Sequence, residues 1–382
     1  MAAARNSAPA GADCGQGVFS AAAAFADARG TCAPMAGPAS RTPMTVTALK
    51  RSLGRHRRRL ACVLGVLAVL VAVLAAAEIM LGNTVYPVQT VLDVLGGAQV
   101  KGATYAIWEV RLPRLAAGVL AGFAFGVAGN TFQTMLRNPL ASPDVIGITS
   151  GASVVAVACI LVAHMGATSA SLWAVLGSAG TAAAIFALST IGGFSIGKFI
   201  LVGLGVQAFM KAVVSYLLLK GTEFDVPVAL RWLNGSLSGT TMDDVSLLLA
   251  VVPLAALVML LGRHLKVLEL GDAPATMLGA RPLLIRVVLV LCCVVMIAFC
   301  TAVTGPVACV SLLAGPIATR LVGQASSATA AAGLVGVALV LGADLVGQYV
   351  LGTRFPVGVV TGILGTPYLL YLLVSMNKKG SA

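Results

Sequence analysis

Long apolar runs alternate with short polar interruptions along most of this chain. About 20 apolar residues cross a bilayer as a helix, because a helix satisfies its own backbone polar groups in lipid. The pattern predicts an all-α, polytopic membrane protein with about ten transmembrane helices. The predicted spans cover about residues 60–81, 113–136, 150–166, 171–190, 199–219, 245–262, 283–304, 306–322, 329–350 and 357–375.

The N-terminal part differs from the apolar remainder. Residues 1–43 are rich in Ala, Gly, Pro and Ser and lack a helical period, which predicts a disordered extension. Met44 opens a more regular basic stretch, so translation from Met44, which would leave residues 1–43 unmade, is an alternative. We therefore divide the chain into this extension, a basic cytoplasmic segment at 44–59 and a transmembrane domain at 60–379.

Basic residues cluster at alternate interruptions between the predicted spans. When the basic N-terminal arm is placed in the cytoplasm, Arg137, Arg263, Arg281 and the C-terminal pair Lys378 and Lys379 fall on the same side. This arrangement follows the positive-inside rule. We expect a multi-pass protein of the inner or plasma membrane with both termini in the cytoplasm.

Composition supports the membrane assignment and narrows the partners. Hydrophobic residues make up 59% of the chain and charged residues only 10%, unlike a soluble domain. The net charge is +12, and the Lys and Arg residues that carry it cluster at the ends of apolar runs and in an N-terminal arm, without interleaved aromatic residues. We therefore expect no nucleic-acid partner. The eight cysteines have neither C-x-x-C nor Cys/His ligand spacing, and we expect no metal site.

Two ionisable residues, Lys211 and Asp344, lie in the middle of predicted spans. Such a group costs about 2.5–3.5 kcal/mol at membrane depth and therefore faces protein or water by default. Lys211 has either a functional role of this kind or a stem that carries its charge to one surface. For the shorter Asp344, a buried hydrogen-bonding role is favoured over a proton relay.

Gly118, Gly122 and Gly126 are spaced four residues apart and share one helix face. Small residues at this spacing allow a neighbouring backbone to approach closely. A pore-lining or moving interface is one interpretation, and ordinary helix packing is the favoured one.

The sequence does not favour an enzyme. Residues 192–199, GGFSIGKF, nearly match a phosphate-binding loop, but Phe199 replaces the magnesium-binding hydroxyl and the stretch joins two predicted spans. No catalytic group of side chains stands out in the spans. A transporter is therefore favoured, and a membrane-embedded enzyme is the least favoured class.

Five stretches resemble, in order, the permeases of iron-chelate and cobalamin ABC importers, the FecCD type. They are RLPRLAAGVLAGFAFGVAG from 111, RNPLASPDVIGITSGAS from 137, RWLNGSLSG from 231, VLELGDAPATMLGARP from 267 and FPVGVVTGILGTPYLLYLL from 355. The resemblance implies the type II ABC importer permease fold and a second permease subunit, identical or paralogous. It also implies two ATPase subunits and an external binding protein. ATP and magnesium would bind the ATPase, and this chain would bind no cofactor.

The same resemblance implies roles for particular residues. Arg111 and Arg114 would dock the binding protein, and Asn138 and Leu140 would belong to the cytoplasmic gate. Gln348 stands where the family usually has a third docking arginine, and Arg354 is a candidate replacement. Residues of the loop that resembles the family's coupling helices would contact the ATPase; they are Leu270, Gly271, Ala273, Leu278 and Gly279.

The sequence therefore predicts the permease subunit of an ABC importer that carries a ferric siderophore by ATP-driven alternating access. A haem or cobalamin importer is the nearest alternative. The alternative from another class is an ion-coupled secondary transporter, in which Lys211 and Asp344 would be the coupling groups.

Overall fold

The computed structural model describes residues 46–144, 147–192, 196–323 and 328–380. The chain divides into residues 1–54 and residues 55–382. In the first unit the description begins with the helix at Val46, so the predicted extension at 1–43 lies outside the described residues. Within the described ranges the secondary structure is helical, without a strand.

Sixteen α-helices and one π-helical turn, Ala106–Arg111, follow one another in the described part of the chain. The α-helices are α1 (Val46–Met80), α2 (Val88–Leu95), α3 (Ala103–Tyr105), α4 (Leu112–Leu136), α5 (Ile148–Leu161), α6 (Ala167–Thr190), α7 (Ile196–Lys220), α8 (Asp225–Leu233), α9 (Met242–Leu248), α10 (Val251–Leu260), α11 (Gly262–Glu269), α12 (Asp272–Met277), α13 (Pro282–Thr304), α14 (Val310–Val322), α15 (Thr329–Tyr349) and α16 (Val357–Gly380).

Each of the ten predicted apolar spans overlaps at least one helix. Within the described residues, seven helical segments are long and apolar enough to cross a membrane, and three further apolar helices are shorter. The shorter ones lie in α5, α14 and α16. The prediction of an all-α, polytopic membrane protein is confirmed.

Two predicted spans differ from the observed helices in detail. The span at 245–262 is divided between α9 and α10, because Pro253 has no N–H to donate to the carbonyl of Leu249. The span predicted from residue 306 begins only at Val310, because Gly305 and Cys309 have φ angles of 70° and 64° and interrupt the helix.

The interruption after α1 has structure that the apolar pattern did not predict. It contains α2, α3 and the π-helical turn, which leads directly into α4 and carries Arg111. A π-helical turn adds a residue to a helical turn and is frequent at functional sites. The orientation of the first residues of α4 therefore depends on this local departure from α-helical geometry.

The centre of the bundle is α4, which packs closely against α15. Gly122 and Gly126 face α15: a Cβ added to Gly122 would lie 2.8 Å from Val337 Cα, and one added to Gly126 would overlap the carbonyl of Ala332. At Gly118 an added Cβ would lie 2.9 Å from a methyl group of Leu341. The structure therefore places all three glycines in a helix-packing interface, because only small residues let these backbones approach.

Candidate functional site

The three arginines predicted to dock a binding protein line one cavity of about 260 Å³. They lie near the end of the bundle where α4 begins. We call them, with their polar partners, the arginine cluster. It consists of Glu78, Arg111, Arg114, Asp344, Gln348 and Arg354.

Arg114 and Asp344 form a bidentate ion pair at the centre of the arginine cluster. The Nε and Nη2 atoms of Arg114 donate to the two carboxylate oxygens of Asp344, each over 2.7 Å. The Oε1 atom of Glu78 lies 3.5 Å from the same Nε. Gln348 donates to both acids, over 3.0 Å to Glu78 and 2.7 Å to Asp344. Both acids are buried. The ion pair and the amide supply partners for both oxygens of Asp344 and for Oε1 of Glu78, whereas Oε2 of Glu78 is buried without a hydrogen-bond partner among the described residues.

The other two arginines are also bonded within the chain. Arg111 donates to the carbonyls of Ile79, Met80 and Thr84 over 2.5–3.0 Å, and its guanidinium lies 4.7 Å from the centre of the Tyr86 ring. It thereby satisfies carbonyls at the C-terminal end of α1. Arg354 donates to the side chain of Asn83. An acidic group that docks here would have to share these guanidinium groups with their present partners.

A second polar cluster lies beyond the other end of α4, where the loop that begins RNPLASPD contacts α7 and α14. We call it the loop anchor and define it as Ser142, Asp144, Gln207 and Ser311. The Oδ2 atom of Asp144 accepts from Ser311 Oγ over 2.5 Å and from Ser142 Oγ over 3.2 Å. The Nε2 atom of Gln207 donates to the backbone carbonyl of Asp144 over 3.0 Å. Burial raises the pKa of the Asp144 carboxyl, and the two hydroxyl donors offset only part of that rise.

The predicted gate residues lie in the same loop. The side-chain oxygen of Asn138 accepts from the backbone N–H of Leu140 over 2.9 Å, a local turn that Asn favours. Asn138 is exposed and Leu140 is partly buried. Arg137, with a φ of 50°, ends α4 and donates to the carbonyl of Leu268 in α11 over 2.9 Å.

The predicted ATPase-contact residues form an exposed surface around α11 and α12. Leu270 and Leu278 are 62% and 66% exposed, so both present apolar surface that a partner could cover. Gly271 and Gly279 have φ angles of 117° and 79°, which favour glycine. We call Leu270, Gly271, Ala273, Leu278 and Gly279 the short-helix surface.

The two predicted intramembrane groups lie in different environments. Lys211 is on an exposed face of α7, whereas Asp344 is buried in the arginine cluster. The structure does not bring them together. Among the residues that the structure describes, no three His, Cys, Asp or Glu side chains are grouped so that they could hold a metal ion.

Sequence reasoning missed several residues of these clusters. Glu78 had a signal, since it is an isolated acid at the end of an apolar run. Asp144 had one too, since it lies among the polar residues that interrupt two spans. Gln207 and Ser311 had none, because they are ordinary polar residues whose partners lie far away in the chain.

Comparison with known protein families identifies relatives of this chain. Residues 67–375 match the FecCD transport family. The chain belongs to the FecCD transport family. This confirms the resemblance that the five stretches indicated, and the match includes both the arginine cluster and the loop anchor.

Individual proteins extend the comparison. The chain is 38% identical over 317 residues to the achromobactin transport system permease protein CbrC of Dickeya dadantii, covering 82% of this chain and 89% of that protein. It is 36% identical over 296 residues to the ferric enterobactin transport system permease protein FepG of Escherichia coli, covering 76% and 88%. A solved inward-facing metal-chelate type ABC transporter shares the fold, with a TM-score of 0.74, 24% identity, and coverage of 82% of this chain and 99% of that chain.

Proposed function

We propose that this chain is the permease subunit of an ABC importer and that it carries a ferric siderophore. The observation that carries the proposal is membership of the FecCD family over residues 67–375, together with relatives named for achromobactin and ferric enterobactin transport. The proposal includes a second permease subunit, two separate ATPase subunits that bind ATP and magnesium, and an external binding protein.

The two ends of α4 have separate roles in this proposal. The arginine cluster faces outward, where Arg111, Arg114 and Arg354 attract acidic groups of the binding protein and fix its register. The loop anchor and the short-helix surface face the cytoplasm. In support, basic residues of three segments are held at this second end: Arg59 donates to the carbonyl of Leu321 over 2.9 Å, near Arg320, and Arg137 donates to Leu268.

Transport then follows from alternating access. ATP binding on the partner subunits moves the short-helix surface, and this movement reorganises the loop that holds Asn138 and Leu140. Exposed leucines beside glycine turns are suited to this contact, because they offer apolar area that a partner groove can bury.

The decisive experiment is reconstitution of this chain with its second permease, ATPase and binding protein in lipid vesicles. Uptake of a radiolabelled ferric siderophore should require ATP on the side of the membrane where the ATPase subunits lie. It should persist when a protonophore is present. Haem and cobalamin should not compete. Loss of uptake on collapse of the proton gradient, with ATP still present, would instead support the ion-coupled alternative with Lys211 and Asp344 as coupling groups.

A glycine pair tests the short-helix surface. Gly279 and Gly352 have similar φ angles of 79° and 72°, and a Cβ added to either meets nothing within 4 Å. Replacing Gly279 with tryptophan should reduce binding-protein-stimulated ATP hydrolysis at least roughly tenfold, because one obstructed hot spot costs 2 kcal/mol or more. Gly352→Trp has the same backbone strain at the other end but lies two residues from the docking arginine Arg354, so the two variants are also compared by basal ATP hydrolysis without the binding protein. In that assay Gly352→Trp should stay near the unmodified protein, whereas Gly279→Trp should again be low. Equal effects of the two variants would refute the assignment.

A further inference from the structure

The hydrogen bond of Asn138 lies within its own loop and does not attach that loop to the helices. That contact joins the Asn138 side chain to the backbone of Leu140, two residues away. A turn of this kind shapes the loop locally. The position of the loop relative to the helices must be set by other residues.

Asp144, four residues after Leu140, makes two such attachments, in addition to the bond that Arg137 donates to the carbonyl of Leu268 at the start of the loop. Its carboxylate accepts from Ser311 in α14, and its backbone carbonyl accepts from Gln207 in α7. The Oγ atom of Ser142 lies 3.0 Å from the Oγ atom of Ser311, so the loop is joined to α14 at two residues, Ser142 and Asp144. Ser142 and Ser311 are buried, at 2% and 0% exposed, and their hydroxyls need these partners.

The loop also contacts α7 closely at Gly147. Gly147 has a φ of 89°, and a Cβ added there would lie 2.9 Å from the carbonyl oxygen of Gly203 and 3.1 Å from Gln207 Cβ. Only a glycine fits this backbone conformation at this distance. The contact of Gln207 with Asp144 is therefore part of a close packing of the loop on α7.

The chemistry of the attachment makes it easy to break. Ser311 is the second residue of α14, so the carboxylate lies near the positive end of that helix. Its side-chain donors are neutral hydroxyls, and within the described ranges Asp144 forms no ion pair. Hydroxyl donors are exchanged for water or other donors at a smaller cost than a buried arginine.

We propose that Asp144 is a positioning residue of the transport cycle, which fixes Asn138 and Leu140 relative to α7 and α14. Its contacts with Ser142 and Ser311 break when the gate opens and re-form when it closes. The proposal rests on the proposed function in one respect, because it takes Asn138 and Leu140 as the gate.

The test measures how readily the gate opens. Leu140→Cys in the assembled transporter reports gate opening through its rate of reaction with a maleimide, read at this site by peptide mass spectrometry. Adding Asp144→Ala or Ser311→Ala should raise this rate roughly tenfold, the effect of losing one hydrogen bond to a charged group. The double variant should react more slowly than the product of the two single effects predicts, because both substitutions remove the Ser311–Asp144 contact.

Conservative and control variants complete the design. Asp144→Asn keeps an acceptor oxygen and should give an intermediate rate, which also tests the proposal if Asp144→Ala fails to assemble. Asp243→Ala, which removes an exposed acid at the start of α9, should leave the rate unchanged. Uptake per ATP hydrolysed should fall in the Asp144 variants, because an open gate uncouples transport from hydrolysis.

Two results would overturn the proposal. One is an unchanged labelling rate in both Asp144→Ala and Asp144→Asn, and the other is a double variant whose effect is the product of the single effects. The labelling readout needs no substrate. A failure of the proposed siderophore transport would therefore appear in the uptake assay alone, while the labelling pattern would still decide the role of Asp144.

Discussion

The arginine cluster and the loop anchor both bury carboxylates, and they satisfy them by opposite means. At one end of α4, Asp344 receives two charged hydrogen bonds from Arg114 over 2.7 Å. At the other end, the donors to the Asp144 carboxylate among the described residues are the hydroxyls of Ser142 and Ser311. A charged, bidentate partner gives a fixed geometry that is costly to disturb, whereas neutral hydroxyls hold a carboxylate weakly. The difference suits the first cluster to a permanent surface and the second to a segment that moves.

The largest expected effect comes from removing the arginine. Arg114→Ala leaves Glu78 and Asp344 buried without their cationic partner, and breaking such a pair costs about 3–5 kcal/mol. The variant should unfold at a lower temperature in detergent. Unfolding is measured by thiol labelling of Cys293 and Cys300, which are fully buried in the folded protein. Arg231→Ala, at an exposed arginine, is the control and should unfold close to the unmodified protein. A small effect of Arg114→Ala would contradict the view that this cluster is held by charge.

A smaller loss of stability is expected from a substitution at the interface between α4 and α15. Gly126→Ala places a Cβ against the carbonyl of Ala332, so the helices must separate, at about 1–3 kcal/mol. Gly342→Ala adds a Cβ that meets nothing within 4 Å and should be neutral or slightly stabilising. The same thermal unfolding assay compares the two variants. Similar unfolding temperatures would show that close packing at this interface is not required.

Removing the amide sharpens the comparison between charged and neutral donors. Gln348→Ala leaves the charge of Arg114 in place but deprives Glu78 and Asp344 of a donor, which should cost about 1–2 kcal/mol. Unfolding of Gln348→Ala should therefore lie between that of Arg114→Ala and the unmodified protein. A loss as large as that of Arg114→Ala would indicate that the amide, and not the ion pair, supports the cluster.

The smallest expected effect is a change in how stability depends on pH. Because the pKa of Asp144 is raised in the folded protein, the folded state binds the proton more tightly than the unfolded state. Stability should therefore fall as the pH rises from about 4, the ordinary Asp value, through the raised pKa. Asp144→Asn cannot ionise, so its unfolding temperature should lose this component. Parallel pH profiles of the two proteins would contradict the raised pKa.

Features that depend on a single stretch of sequence could be predicted, and features that depend on distant contacts could not. The apolar spans, the helix-packing spacing of Gly122 and Gly126 and the interruption at residues 137–144 are all local patterns. The partner of Asp344 is Arg114, 230 residues away, and no pattern in either neighbourhood identifies it. Serine and glutamine are common in turns and helices, so Ser311 and Gln207 carry no signal that they hold Asp144. The hydropathy pattern also did not predict the interruption between α9 and α10 before Val251, although Pro253 was a local signal for it.

The close packing of α4 on α15 restricts where this protein can deform. Their backbones touch at Gly122 and Gly126, and the Arg114–Asp344 ion pair joins the same two helices near one end. These contacts favour movement of α4 and α15 as one body. We expect the conformational change that opens a path for a solute to come from movement of the other helices relative to α4 and α15.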